Sequence, residues 1–215
     1  MPVPTASSSS RRRPRKAGTQ GMPRAVREQL ILDVAGHVFA RDGYHGASMD
    51  EMAKLAGVSK PMLYAYFGSK EQLYVAYIDR TGRELVERLI AADPQHERAS
   101  ERLRLVIAEF LSFVEEHRDG WKVLFSELTA SRPLAEHVAG LRGRIVAEVR
   151  GMLERVRSPD AGLPPAAADG VAHAIVGAGE SLANWWLGHP EVPLAEVADL
   201  YLGLGQAAIG AAARR

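Results

Sequence analysis

The 215-residue chain contains no cysteine, which removes disulfide scaffolds, zinc ribbons and thiol nucleophiles at once. No run of 18 apolar residues occurs, so no membrane-spanning helix is expected. The first residues are polar and lack an apolar core, so the chain does not read as carrying a secretory signal, and a cytoplasmic protein is expected. Sustained two-residue alternation of apolar and polar side chains is missing, which argues against any sheet. There is no glycine-rich phosphate loop. Seven histidines are present, yet no two stand four apart on one helix with a carboxylate suited to zinc. Gly179–Ala183, GESLA, has the start of a nucleophile elbow but neither its final glycine nor a preceding strand. No catalytic centre, cofactor or metal is therefore expected.

What is present is an ordinary globular composition, with 47% hydrophobic and 25% charged residues. The length fits one large domain or two small ones. The net charge of +1 conceals an asymmetry. Residues 1–80 carry twelve Lys/Arg against seven Asp/Glu, and residues 81–215 carry fifteen against nineteen. A basic end raises the question of nucleic acid. Five of those twelve basic residues, however, lie before Met22, and the rest of the end is neutral.

Residues 1–22 form a Ser/Arg/Pro/Gly tract with too little apolar surface to offset the entropy of ordering, which predicts disorder. Arg11, Arg12, Arg13, Arg15 and Lys16 would then track phosphates as a basic arm, or form a passive tail, or precede a true start at Met22. From Arg24 the pattern is helical nearly throughout. Val26, Leu30, Ile31, Val34, Val38 and Phe39 recur at helical spacing until Gly43. Ser48, Ser59 and Ser69 each stand where a side-chain cap should open the next helix. Pro61 falls in a first turn, where its missing N–H costs little. Further helices are expected over about 97–117, from Trp121 to Pro133, over 134–156, 165–187 and 194–212. The fold class is all-α, with about nine helices.

Three short helices between residues 24 and 67, the second and third joined by AGVS, mark a helix-turn-helix. Gly57 supplies the unusual φ of the turn and Val58 must pack inward. The third helix then offers Ser59, Lys60, Pro61, Met62, Tyr64 and Tyr66 outward, with Leu63 and Phe67 toward the core.

The run SMDEMAKLAGVSKPMLYAYFGSKEQLY resembles the DNA-binding segment of the TetR family of bacterial transcriptional regulators. The matching residues are Ser48, Ala56, Gly57, Val58, Ser59, Leu63, Tyr64, Tyr66, Phe67, Ser69, Lys70, Glu71 and Leu73, with Met52 in place of an isoleucine. The resemblance implies that Ser48 meets a phosphate, that Lys60, Pro61 and Met62 read bases, and that Tyr64 touches a thymine methyl or a phosphate. It also implies that Tyr66 and Lys70 hold backbone phosphates. Pro61-Met62 departs from the Gly-Thr or Gly-Ala common in the family, and Met62 cannot donate a hydrogen bond.

The expected organisation is a tail over 1–22, a helix-turn-helix domain over 23–70 and a regulatory domain over 71–215. In the last part the aromatics gather in three segments, and Phe110, Phe113, Trp121, Phe125 and Trp185 are candidates to line a ligand pocket. Glu180, Asn184 and His173 could supply its polar handle, for a small apolar or amphipathic ligand. Trp185 and Trp186 point about 100° apart and cannot both line one cavity. The last two helices carry small-residue and apolar faces suited to a four-helix bundle between two subunits, with intramolecular packing as the alternative. The resemblance implies a homodimer on a palindromic operator in double-stranded DNA, most often a repressor released by its ligand. A helical ligand-binding or adaptor protein with a vestigial helix-turn-helix is the rival reading. Replacing Lys60 and Tyr64 together by alanine is expected to weaken operator binding about tenfold or more and to flatten its salt dependence by roughly one unit of slope. Unchanged affinity and slope in a salt-titrated gel shift would remove the recognition-helix assignment.

Overall fold

A computed structural model describes residues 21–93, 99–126, 132–155 and 163–213. The basic run at 11–16 lies outside them. Among the described residues the chain forms α1 (Arg24–Gly46), α2 (Met49–Leu55), α3 (Lys60–Phe67), α4 (Lys70–Ala91), α5 (Ala99–Glu116), α6 (Arg118–Ser126), α7 (Arg132–Arg155), α8 (Pro165–Leu187) and α9 (Leu194–Ala213), and no strand. None of these helices is long and apolar enough to cross a membrane. The first helix is longer than the sequence pattern suggested. It breaks at Gly43, whose φ of 69° and ψ of 173° are not helical, and one more turn follows.

The serines act as the spacing predicts. Ser48 Oγ accepts from the Glu51 N–H at 3.5 Å, Ser59 Oγ from Met62 at 3.2 Å and Ser69 Oγ from Gln72 at 3.0 Å. Each satisfies one of the amides that a helix start leaves without a partner. The S-x-x-E motif at Ser48 does not close as a full capping box, because the Glu51 carboxylate is taken by Arg41 at 2.9 Å. Gly57 turns the chain between α2 and α3 at a φ of 67°, and the Val58 N–H then bonds back to the Ala53 carbonyl at 3.0 Å.

Among the described residues two large apolar cores result, with a smaller cluster of Val146, Ala172 and Val176 between α7 and α8. The first joins α1, α2, α3 and the start of α4 around Ile31, Val38, Met52, Leu63 and Leu73. The second gathers α5, α8 and α9 around the later part of α4. Helix α4 belongs to both, with Leu73, Tyr74, Tyr77 and Ile78 in one and Leu85 and Leu89 in the other. Where the cores meet, the Tyr77 ring lies against two glycines. A Cβ on Gly36 of α1 would stand 2.6 Å from Tyr77 Cζ, and one on Gly120 of α6 would stand 2.8 Å from its hydroxyl oxygen. Burial pushes the Tyr77 hydroxyl pKa up, against a hydrogen bond with Thr81 that lowers it.

The last hairpin divides the apolar stripe expected of α9. Val197, Tyr201 and Gly205 are buried within the chain's own core. Tyr201 seats on Gly179 of α8 and donates to the Ile175 carbonyl at 2.8 Å. Leu200 and Leu204 remain 50% and 46% exposed. Gly36→Ala is expected to cost roughly 1–3 kcal/mol through overpacking against Tyr77. Gly57→Ala, where a Cβ meets nothing, should cost only the roughly 1–2 kcal/mol of left-handed backbone. Urea denaturation of the two variants, with Gly36→Ala recovering part of its loss when Tyr77 is replaced by leucine, checks both.

Candidate nucleic-acid interface and effector cavity

Helix α3 is anchored by Leu63, which is fully buried, and by Phe67. On its other side Ser59, Lys60, Pro61 and Tyr64 are exposed, while Met62 and Tyr66 are half-buried. Lys60 Nζ pairs with Asp50 at 2.9 Å, and that hydrogen bond raises the lysine pKa. Both groups face solvent, where such a pair contributes little and exchanges readily for another anion. Tyr64 presents its ring to solvent at 41% exposure.

Two of the residues expected on phosphates are tied into the domain. The Tyr66 hydroxyl accepts from Arg27 Nη1 at 3.1 Å, and the Arg24 guanidinium stands 5.1 Å over its ring. Lys70 Nζ donates to the carbonyls of Tyr44, His45 and Ala47 at 2.7, 3.2 and 3.2 Å. It also lies 4.8 Å from the centroid of the Tyr44 ring. Without DNA, therefore, Lys70 does not present a free cation. An ammonium has three donors, and the carbonyls left open at the end of α1, past the break at Gly43, engage all three. Arg24 and Arg27 were not among the sequence candidates, though their i, i+3 spacing at a helix start is visible in it.

A cavity of about 500 Å³ lies among α4, α5, α7, α8 and α9, with Trp121 of α6 in its wall. Of the candidate residues, Phe110, Trp121 and Glu180 line it. Phe113, Asn184, Trp185 and His173 do not. Phe113 is fully buried one turn further along α5, stacked on His117 at 4.3 Å with the Arg88 guanidinium 5.5 Å from its ring centroid. Asn184 accepts the Trp121 indole N–H at 2.9 Å, so it orients the wall instead of facing a ligand. Trp185 points out, 44% exposed and stacked on His189, while the neighbouring Trp186 takes the buried seat and donates to the Val192 carbonyl. His173 is exposed on α8. Phe125 belongs to α6, but its side chain lies outside the described residues.

Aliphatic side chains make most of the wall: Leu85 and Leu89 from α4, and Leu141, Ile145, Val149 and Met152 from α7. None of these aliphatic residues is among the sequence candidates, which are aromatic or polar. The signal was the regular three- and four-residue spacing of the α7 set. Polar groups are few. Asp93 and Arg102 form a bidentate pair at 2.7 and 2.9 Å, only 4% and 6% exposed. Arg142 and Glu180 form a single-point pair, Nε to Oε1, at 2.9 Å. Lys70→Met is expected to destabilise the fold by about 1–3 kcal/mol, as loss of hydrogen bonds from a charged donor should. A lysine serving only phosphate contact would leave the urea midpoint unchanged.

Two family models match. The one described as bacterial regulatory proteins of the tetR family covers residues 31–77, and the Tetracyclin repressor-like C-terminal domain covers 99–206. The HTH-type transcriptional activator FasR of Mycolicibacterium smegmatis is 32% identical over 186 residues, which are 85% of this chain and 83% of that one. A crystal structure of a TetR-like transcriptional regulator from Rhodococcus sp. RHA1 superposes with a TM-score of 0.72 at 36% identity, covering 88% of this chain and 98% of that one. The regulator FadR of Bacillus subtilis, solved in complex with stearoyl-CoA, shares the fold at a TM-score of 0.69 and 21% identity, over 82% of this chain and 96% of that one. The helix-turn-helix with its capped recognition helix and the helical body around a cavity are thus the two halves of a known arrangement, and the chain belongs to the TetR family of DNA-binding transcriptional regulators.

Proposed function

We propose that the chain acts as a homodimer on a palindromic operator and that a long-chain acyl ligand in the cavity releases it from DNA. The division of labour follows the expected boundaries, with residues 23–70 reading DNA and 71–215 sensing the ligand and dimerising. Ser59, Lys60, Pro61, Met62 and Tyr64 would enter the major groove, and Ser48, Tyr66 and Arg24 would lie along the phosphates. Lys70 would reach a phosphate only by leaving the α1 carbonyls. The dimer reading is supported by the exposed Trp185, Leu200 and Leu204 on the outer side of α8 and α9. Such an apolar face on a helix hairpin suits a four-helix bundle with a second copy.

The observation that carries the release mechanism is a line of contact from cavity to reading head. Trp121 is in the cavity wall, and the preceding residue, Gly120, touches Tyr77. Tyr77 in turn seats on Gly36 of α1. A ligand that moves the indole therefore acts on α1 through packed atoms, and differential affinity for the two arrangements supplies the coupling. The acyl reading rests on shape. Lining residues on α7 run from Val138 to Leu153, about 22 Å of helix at 1.5 Å per residue, and nearly all are apolar. Stearoyl-CoA bound to the B. subtilis regulator is a ligand of that class. Repression on binding is the simplest outcome. The relative named as an activator fits an operator placed elsewhere relative to its promoter.

Sequencing of DNA fragments enriched by the purified protein should return an inverted repeat whose half-sites are spaced by about one or two helical turns. Its retention on a gel should fall when stearoyl-CoA is added. Enrichment of no palindrome would overturn the dimeric operator reading, and a gel shift indifferent to the ligand would overturn the acyl release.

A further inference from the structure

Of the polar side chains along the cavity, most are already committed. The Trp121 indole N–H goes to Asn184 and the Tyr201 hydroxyl to the Ile175 carbonyl. Asp93 and Arg102 hold each other in two charge-assisted hydrogen bonds and are almost fully buried. Gln206 is neutral. Arg142 differs from all of these. Only its Nε is engaged, by Glu180 Oε1 at 2.9 Å, and among the described residues its two Nη groups have no polar partner. Its side chain is 49% exposed, so it stands where the apolar slot meets solvent. Gly177, one turn before Glu180 on α8, lies beside the guanidinium: a Cβ there would make ordinary van der Waals contact with Arg142 Nη2 at 3.6 Å.

We propose that Arg142 reads an anionic head group on the acyl ligand, with Glu180 as the resident carboxylate that the ligand displaces. This rests on the acyl reading of the cavity. A guanidinium fork matches a carboxylate or a phosphate with two parallel N–H donors, and here the fork is open. The apolar slot takes the chain while the rim takes the charge, so a neutral amphiphile of the same length lacks the second half of the site. Burial raises the Glu180 pKa and Arg142 opposes that rise. Once an incoming anion takes the arginine, the carboxyl is left in a half-buried place that favours its protonated form, which eases the exchange. Free fatty acids and the phosphates of a coenzyme A thioester share this chemistry.

The test compares stearate, stearoyl-CoA and neutral methyl stearate, read by tryptophan quenching and by release from operator DNA. The wild-type protein should prefer at least one of the anions to the ester by roughly tenfold or more, the scale of one hydrogen bond to a charged group. Arg142→Gln should abolish that preference, weakening the anion it reads by roughly tenfold more than methyl stearate. Glu180→Gln should keep or strengthen it. Both substitutions break the same surface pair, so equal losses in the two variants would mean that the pair is only structural and would overturn the proposal. Equal binding of all three probes by the wild type would also overturn it while leaving the acyl slot intact. Binding of none would remove the acyl reading and this inference together. Loss confined to stearate in Arg142→Gln identifies a carboxylate as the group read, and loss confined to stearoyl-CoA identifies a phosphate.

Discussion

One aromatic ring sits at the junction on which the two halves depend. Tyr77 of α4 fills the space left by Gly36 of α1 and Gly120 of α6, with its hydroxyl hydrogen-bonded to Thr81. Close-packed interiors transmit displacement because neighbouring atoms have nowhere to relax. Helix α4 adds to this by lending successive faces to two cores, so neither can shift along it unnoticed by the other. Tyr74, one turn earlier, donates to the Val123 carbonyl of α6 at 2.8 Å and binds the same junction from a second side. Two halves that shared only a flexible linker would have no such packed junction.

The reading head shows how local rules and tertiary demands divide a surface. Three serine caps and a left-handed glycine set where the short helices begin and turn, largely irrespective of what the rest of the chain does. Electrostatics is less local. Lys60 leans on Asp50, Tyr66 is held between Arg24 and Arg27, and Lys70 closes the end of α1. The net charge of the head without its tail is neutral, so affinity for a polyanion has to come from the placement of a few cations and helix ends.

In the sensing half the sequence misled about which side chains matter for the cavity. Aromatics are few and large, the usual mark of a pocket lining, yet Phe113 and Trp186 serve the packed core and Trp185 serves the exterior. Adjacent residues on a helix diverge by about 100°, so the Trp-Trp pair had to split, and the pattern alone did not say which ring would turn inward. The long aliphatic stripe of α7 carries the shape of the slot instead. Its periodicity was legible, but an amphipathic helix facing a cavity and one facing a filled core have the same spacing. Asn184 illustrates the same limit, since a polar residue among apolar ones reads as a ligand handle until its partner, Trp121, is known.

By itself the sequence determined the helical class, the order and approximate limits of the nine described helices, the capped starts and the inward and outward faces of α3. Each of these depends on contacts within a few residues, on the 3.6-residue period, or on a motif whose spacing is strict. Only the tertiary structure decided that Tyr77 joins the two cores and that Lys70 caps α1. It also decided that α9 splits between core and surface, and that Arg142 keeps an open guanidinium at the rim of an aliphatic slot. These are meetings of residues far apart in the chain, and periodicity says which face a side chain occupies without saying what will be opposite it.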